Sequence, residues 1–383
     1  MPSWRLRPRP VHHHRRLLLL LVLVVGGVLV IGSVLVARDG RRGGGGGKVA
    51  APQHLHHKQH KTHMTQHMVS MEAGGPGVVV SVVEEESLLQ RLLPGGGAPR
   101  IMVTLDMSHP PDPELQCITT RCEPEYPVCP HDSENDRFIS EQLLREGTWE
   151  PHIVALFTAA LAYYPSSTVV DLGAHVGVYS LLGARLGARA VAVEPVWASA
   201  VRLQAGAVAG GVADKVTILL HAIADQRFYA KLRYRDGNLG GTSIVETTAR
   251  EAEAIQRARP HDQVTTLTLD HLYHFVNTSI VLLKIDVEGW ECGAVLGGKT
   301  FLKEHFVPFI FMEWSVVANN RHKYHAPCRA HTLQRMVDWL ASHGYHAHIS
   351  KSGAPLNPDK LDAWRAGDVY WRHLTSPRLH QGK

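Results

Sequence analysis

Strong net charge is missing from this sequence: its 383 residues carry a formal balance of only +5. Many of the cations crowd the first stretch, at Arg5, Arg7, Arg9, Arg15, Arg16, Arg38, Arg41 and Arg42. Nucleic-acid binding needs basic residues clustered on a folded face, so this distribution argues against a nucleic-acid partner. Cysteine is scarce as well. Of five cysteines, Cys117, Cys122 and Cys129 lie close together in a Pro-rich segment, and their spacing repeats no zinc-binding pattern, so no metal site is expected. In an oxidising compartment two of the three can pair, and the odd total leaves at least one thiol free. The dinucleotide fingerprint G-x-G-x-x-G is also absent from the most glycine-marked turn, which weakens a nicotinamide reading.

What is present begins with an apolar run from Leu17 to Ala37 that carries no charge. At about 1.5 Å per helical residue such a run spans a bilayer core of about 30 Å. It is longer than the h-region of a signal peptide, and Leu35-Val36-Ala37 makes a poor cleavage site. A single transmembrane signal-anchor helix is therefore expected over 17–37, behind a basic cytosolic tail over 1–16. Five arginines on the N-terminal side place the bulk of the chain in a lumen of Golgi or ER type by the positive-inside rule, and Asn277-Thr278-Ser279 is a glycosylation sequon consistent with that side. Residues 38–135 read as a flexible, disordered stalk. They open with Gly43 to Gly47, continue through His54, His56, His57, His60, His63 and His67, and are broken again at Pro94 to Pro99 and Pro110 to Pro130. The compact domain is expected over 136–373, followed by a short tail over 374–383.

Within that domain short apolar runs alternate with helical patterns, the signature of a mostly parallel sheet with helices on both faces. The expected strands are Thr168–Leu172, Ala190–Glu194, Val216–His221, Ile280–Asp286 and Phe309–Glu313, with Tyr345–Ser350 and Asp368–Arg372 closing the sheet. Several are almost continuously apolar, as strands buried on both faces should be. An insert, Asn238 to Ile244 followed by a polar helix over Thr247 to Arg259, interrupts the alternation where inserts often cover a site.

The most informative segment is Val169-Val170-Asp171-Leu172-Gly173-Ala174-His175-Val176-Gly177. A buried strand runs into an acid and a glycine-rich turn before a helix, at the crevice where open α/β sheets bind ligands. Asp171 before the first glycine would repel a pyrophosphate and tolerate a cationic, amino-acid-like cofactor. Seventeen residues beyond Gly177 the second strand ends in Glu194-Pro195, where a carboxylate can accept both hydroxyls of a ribose. The fourth strand ends Leu282-Leu283-Lys284-Ile285-Asp286-Val287-Glu288-Gly289. Alternation puts Lys284 and Asp286 on one side, either as a local ion pair or as groups that orient an acceptor or take its proton.

At these residues the chain resembles the FkbM-type S-adenosylmethionine-dependent methyltransferases of the class I Rossmann-like group. The Asp171-to-Gly177 turn is similar to that family's cofactor loop, Glu194-Pro195 to its ribose-binding acid, and Lys284-to-Gly289 to its most characteristic motif. Trp290-Glu291 and Phe311-Met312-Glu313 continue the likeness, which spans about Phe138 to Arg372. Two departures stand out: His175 where the family usually has asparagine, and Ala205 or Gly206 where it has another.

The resemblance implies S-adenosylmethionine as cofactor. It implies contacts from Asp171, Gly173, Gly177 and Glu194, packing by His175, and His221 or Ala222 near the adenine. The implied reaction is an in-line methyl transfer to an oxygen acceptor, with proximity and alignment supplying most of the acceleration. A hydroxyl must lose its proton on the way, which makes Asp286 and Glu288, beside Lys284, the first candidates for the chemistry and His221 and His175 the next. A small-molecule or glycan hydroxyl is the implied acceptor, chosen by loops such as Asn238 to Ile244 and Ala318 to Pro327. A nicotinamide oxidoreductase on a similar sheet and a catalytically silent binding protein with the same fold are the competing readings.

Overall fold

A computed structural model describes residues 101–108 and 114–379, together with the backbone of 18–25, 28–35, 64–67 and 80–85. The chain divides into a unit over Met1–Lys61 and a much larger one over Thr62–Lys383.

In the first unit Leu18–Val25 and Val28–Leu35 pair as an antiparallel hairpin. The helix expected over 17–37 is therefore corrected, and no helix among the described residues is long and apolar enough to cross a membrane. The run is rich in valine, whose branched Cβ favours strands. Gly26-Gly27 stands between its halves, a dipeptide that signals a two-residue hairpin. Period alone cannot separate a continuously apolar helix from two continuously apolar strands. The basic segment 1–16 lies outside the described residues.

In chain order the principal strands of the larger unit are β1 (Ile101–Leu105), β2 (Thr168–Leu172), β3 (Arg189–Val193), β4 (Val216–Leu219), β5 (Tyr229–Arg235), β6 (Asn238–Thr247), β7 (Gln263–Leu267), β8 (Ile280–Ile285), β9 (Phe306–Glu313), β10 (Tyr345–Ile349) and β11 (Asp368–His373). Its principal helices are α1 (Ile139–Glu146), α2 (Pro151–Tyr163), α3 (Val178–Arg185), α4 (Trp197–Ala209), α5 (Ala249–Ala258), α6 (Glu291–Leu296) and α7 (Ala330–Ser342). The main sheet has the order β10-β11-β9-β8-β2-β3-β4-β1, continued by Val80–Glu85 and Met64–His67. Neighbours from β9 through β4 are parallel, whereas β11 runs antiparallel to both β9 and β10, and β1 to β4. A second sheet joins Ala222–Ile223, β7, β5 and β6.

The central strands are buried on both faces because their side chains divide by parity. Val170, Leu172, Leu283 and Ile285 enter one core, and Val169, Leu282, Phe309 and Phe311 enter the other. Helices close each face through apolar stripes. In α7, Leu333, Met336, Val337 and Leu340 recur at helical spacing and are buried. The helix expected over Thr247 to Arg259 is α5, opened by a capping box between Thr248 and Glu251.

The stalk boundary near Asp136 also requires correction. Met102, Tyr126, Val128 and Cys129 are buried, and Val80–Glu85 pairs with β1. These are short edge strands separated by Gly- and Pro-rich breaks, and a pattern so interrupted reads as linker. The tail over 374–383 is likewise packed as far as it is described, since Leu379 joins a core.

Two disulfides form, Cys117–Cys129 and Cys292–Cys328, and Cys122 is a buried free thiol. The second pair joins residues 36 apart, from α6 to the segment before α7, and such a closed loop is worth about 3–4 kcal/mol in the chain-entropy account. A Cys292→Ser/Cys328→Ser double variant is expected to lose about that much in urea denaturation.

Candidate active site

The chain lays down β2, β3 and β4 toward one edge, then returns to β8 and β9 on the other side of β2. The strand order thus reverses between β2 and β8, and ligand sites of doubly wound sheets lie at the carboxyl ends flanking that reversal. Gly173 follows β2 and Asp286 follows β8. A Cβ on Gly173 would stand 1.7 Å from the Asp286 carbonyl oxygen, and its φ is +79°. Only glycine lets these two strand ends approach so closely. The Asp286 amide then donates to the Leu172 carbonyl at 2.9 Å.

Above this junction opens a cleft. Gly173 and His175 line it from the first loop, Glu194 to Val196 from the end of β3, His221 and Ala222 from beyond β4, and Asp286 to Glu288 from beyond β8. Leu239, Gly240, Thr242 and Ile244 of β6 cover it, so the insert singled out in the sequence lies over the cleft. Seven of the expected site residues therefore share one cavity: Gly173, His175, Glu194, His221, Ala222, Asp286 and Glu288.

The other three do not line it. Asp171 is buried, and its Oδ2 accepts from the Ser180 amide at 3.0 Å and the Ser180 hydroxyl at 2.7 Å, fixing α3 to the end of β2. Burial pushes its carboxyl up to about 6 against those two bonds. Gly177 begins α3 with φ +89°, where a Cβ would meet Leu203 of α4 at 2.5 Å. Lys284 is fully buried beneath the cleft, its Nζ 2.9 Å from Asp286 Oδ2 and 5.2 Å over the Tyr179 ring. Burial alone would lower its pKa, but Asp286, Glu150 and Asp368 outweigh it and hold the ammonium charged.

Glu194 is 4 % exposed. One oxygen accepts from the His175 amide at 2.7 Å and the other from the Val196 amide at 2.8 Å, which aims the carboxylate and leaves each oxygen a further lone pair for a ribose hydroxyl. Burial raises it to about 7, opposed by those amides. His221 Nε2 accepts from the Val103 amide at 2.8 Å, and its Nδ1 lies against Thr265. Burial drives its pKa down to about 3; the ring is a neutral brace between β1 and β7.

The far end of the cleft is acidic. Oxygens of Asp286, Glu288 and Glu313 lie within 4.8 Å of one another, close enough to hold a cation. Glu288, in a left-handed conformation at φ +51°, faces Arg235 of β5 at 3.4 Å and is raised to about 7 by burial and then Asp286. Glu313 is raised to about 10, by burial first and then by Asp286, Glu288 and Glu291. A carboxyl raised in the folded state lends stability that is complete below its ordinary value and is lost as pH rises through the folded value. Thermal unfolding temperatures of the wild type should therefore fall from about pH 4.5 toward pH 10, and Glu313→Gln should flatten that fall.

Asp136 was not foreseen. It is 0 % exposed and its Oδ2 lies 3.5 Å from His175 Nε2. In the sequence it sits at the assumed domain edge, where an acid before a helix reads as a cap. It is also that: Oδ2 accepts from the Ser140 amide at 2.9 Å and the Ser140 hydroxyl at 2.7 Å.

Fold and cleft together define a doubly wound α/β domain with a nucleoside-type site whose walls suit a cation. Residues 171–347 match the family model of the methyltransferase FkbM domain. S-adenosylmethionine is accordingly its cofactor. The residues present fit that molecule: Glu194 keeps acceptor positions for the ribose, and the acidic end complements a sulfonium while opposing a pyrophosphate. Asp286 and Glu288 would face the charged end, and His221, Ala222 and Ile223 the base.

No curated protein sequence matches the chain. Among solved structures it is similar to the O-methyltransferase TomG from Streptomyces achromogenes, with 13% identity over 64% of this chain and 91% of that one and a TM-score of 0.35. An O-methyltransferase from Bacillus cereus shares 12% identity over 63% and 90%, with a TM-score of 0.33. Likeness at this level carries no functional weight.

Proposed function

We propose that the domain transfers the methyl group of S-adenosylmethionine to a hydroxyl oxygen of a glycan or small molecule. The observation that carries this reading is the convergence of Gly173, Glu194, Asp286 and Glu288 on one cleft at the reversal of strand order. Bound there, the cofactor supplies an electrophilic methyl carbon and a thioether leaving group that needs no acid. The chain's own residues do the rest. Glu194 fixes the ribose, Gly173 lets the strand ends close beneath it, and the carboxylates of Asp286 and Glu288 attract the positive end. Leu239, Gly240, Thr242 and Ile244 keep water from the reacting atoms.

Two disulfides support a lumenal location of Golgi or ER type, since such bonds persist in oxidising compartments. Asn277 of the sequon is exposed. The apolar run at Leu17 to Ala37 is the proposed attachment to the bilayer.

Transfer of labelled methyl from S-adenosylmethionine to a panel of saccharides and small alcohols tests the proposal. Label in an O-methyl ether is the expected result. Cofactor binding without transfer to any member would favour the silent binding protein.

A further inference from the structure

We propose that His175 is the general base of this reaction and that Asp136 positions its imidazole, an inference that rests on the methyl-transfer reading above. Titratable side chains line the cleft at His175, Glu194, His221, Asp286 and Glu288. Three are engaged: Glu194 holds two backbone amides, His221 is braced on both nitrogens, and Asp286 is bound by Lys284 at 2.9 Å. Glu288 faces Arg235 at 3.4 Å with that oxygen accepting no hydrogen bond. In His175, which is 8 % exposed, neither Nδ1 nor Nε2 has a hydrogen-bond partner.

Two costs are borne at this position. Leaving buried polar atoms unpaired costs about 1–3 kcal/mol, and φ of +50° is uncommon for residues other than glycine and asparagine. Such costs persist where a group has work to do. Asp136 stands behind the ring, with Oδ2 3.5 Å from Nε2 and the carboxylate fixed by Ser140. The pair has the order of a base and the acid that orients it.

The charged groups facing the imidazole are Asp136 before α1, Asp286 after β8 and Arg202 of α4. His131, tied by Nε2 to the Ser199 hydroxyl at 2.9 Å, places its ring 5.3 Å away. Burial lowers the His175 pKa, Asp136 and Asp286 pull it up, and Arg202 lowers it; the net shift is downward. The ring is thus neutral near pH 7 and free to accept a proton. As the acceptor oxygen bonds to the methyl carbon, with the carbon–sulfur pair remaining on sulfur, the hydroxyl proton passes to the free imidazole nitrogen. Asp136 offsets the charge of the imidazolium until the proton returns to solvent.

The test uses the full chain with His175→Asn, Asp136→Asn and Glu288→Gln. Asparagine is the residue the resembled family usually carries in this loop, so the first variant keeps a loop-compatible side chain. Calorimetry should show His175→Asn binding S-adenosylmethionine about as well as wild type, while labelled-methyl transfer to the saccharide panel falls about 10²- to 10⁴-fold. In Asp136→Asn the upward pull on the imidazole is gone, so the acid limb of kcat should move to lower pH as the plateau drops. NMR of labelled histidines should show the resonance missing from His175→Asn titrating below its ordinary value, and lower still in Asp136→Asn.

The inference is overturned if His175→Asn transfers within about threefold of wild type at every pH. It is overturned equally if Glu288→Gln alone removes the acid limb, or if wild type methylates no hydroxyl. Failure of wild type to bind the cofactor would instead overturn the methyltransferase reading beneath it.

Discussion

Replacing Lys284 by methionine is expected to cost the domain about 3–5 kcal/mol of stability, because it strips the cation paired with Asp286 from a buried group of acids. Lys284 is 1 % exposed, and its ammonium sits 2.9 Å from Asp286 Oδ2 and is held further by Glu150 and Asp368. Methionine matches the stem in length, so the loss is electrostatic rather than a cavity. Glu150 is already raised to about 7, by burial first, with Lys284 the group that opposes it. Without Lys284 the acids rise further, and acids raised in the folded state destabilise it as pH increases. Urea denaturation should accordingly show a larger penalty at pH 8 than at pH 5. An equal penalty at both would mean that the lysine acts by packing alone.

Glu194→Ala is expected to weaken S-adenosylmethionine binding by about three orders of magnitude, roughly 4 kcal/mol, the loss of two charge-assisted hydrogen bonds to the ribose. The substitution also leaves the amides of His175 and Val196 without their acceptor, which loosens the loop on which His175 stands. Glu194→Gln keeps one acceptor oxygen and should lose only about tenfold. Calorimetric titration, with circular dichroism to confirm that each variant is folded, separates the two. An unchanged dissociation constant in the alanine variant would remove the carboxylate from the site.

Much of the sheet was legible in the sequence. Thr168–Leu172 and Ile280–Ile285 are short, nearly unbroken apolar runs, and burial on both faces leaves them little freedom to be anything but central strands. The same property misled at the N-terminus, where an unbroken apolar run gave a helix and the backbone forms a hairpin. The edge of the sheet was missed for the opposite reason, since Val80–Glu85 and Ile101–Leu105 are brief, and their places are set by tertiary pairing, Ile101–Leu105 with β4 and Val80–Glu85 with Ile101–Leu105.

Site residues divide in the same manner. Glu194 and Asp286 follow strand ends and point into the cleft, as position alone suggests. Asp171 also sits at a strand end, but Ser180 draws it into the base of α3. Lys284 and Asp286 do share a side, yet only the latter reaches the cavity. Asp136 is far from His175 in the chain, so no local pattern announced their meeting.

The central claim is that the cleft is built for a cationic nucleoside rather than a dinucleotide. Isothermal titration of the full chain with S-adenosylmethionine and, separately, with reduced nicotinamide dinucleotide tests it most directly. The account predicts one S-adenosylmethionine bound per chain and no heat from the dinucleotide; dinucleotide binding, or silence from both, would contradict it.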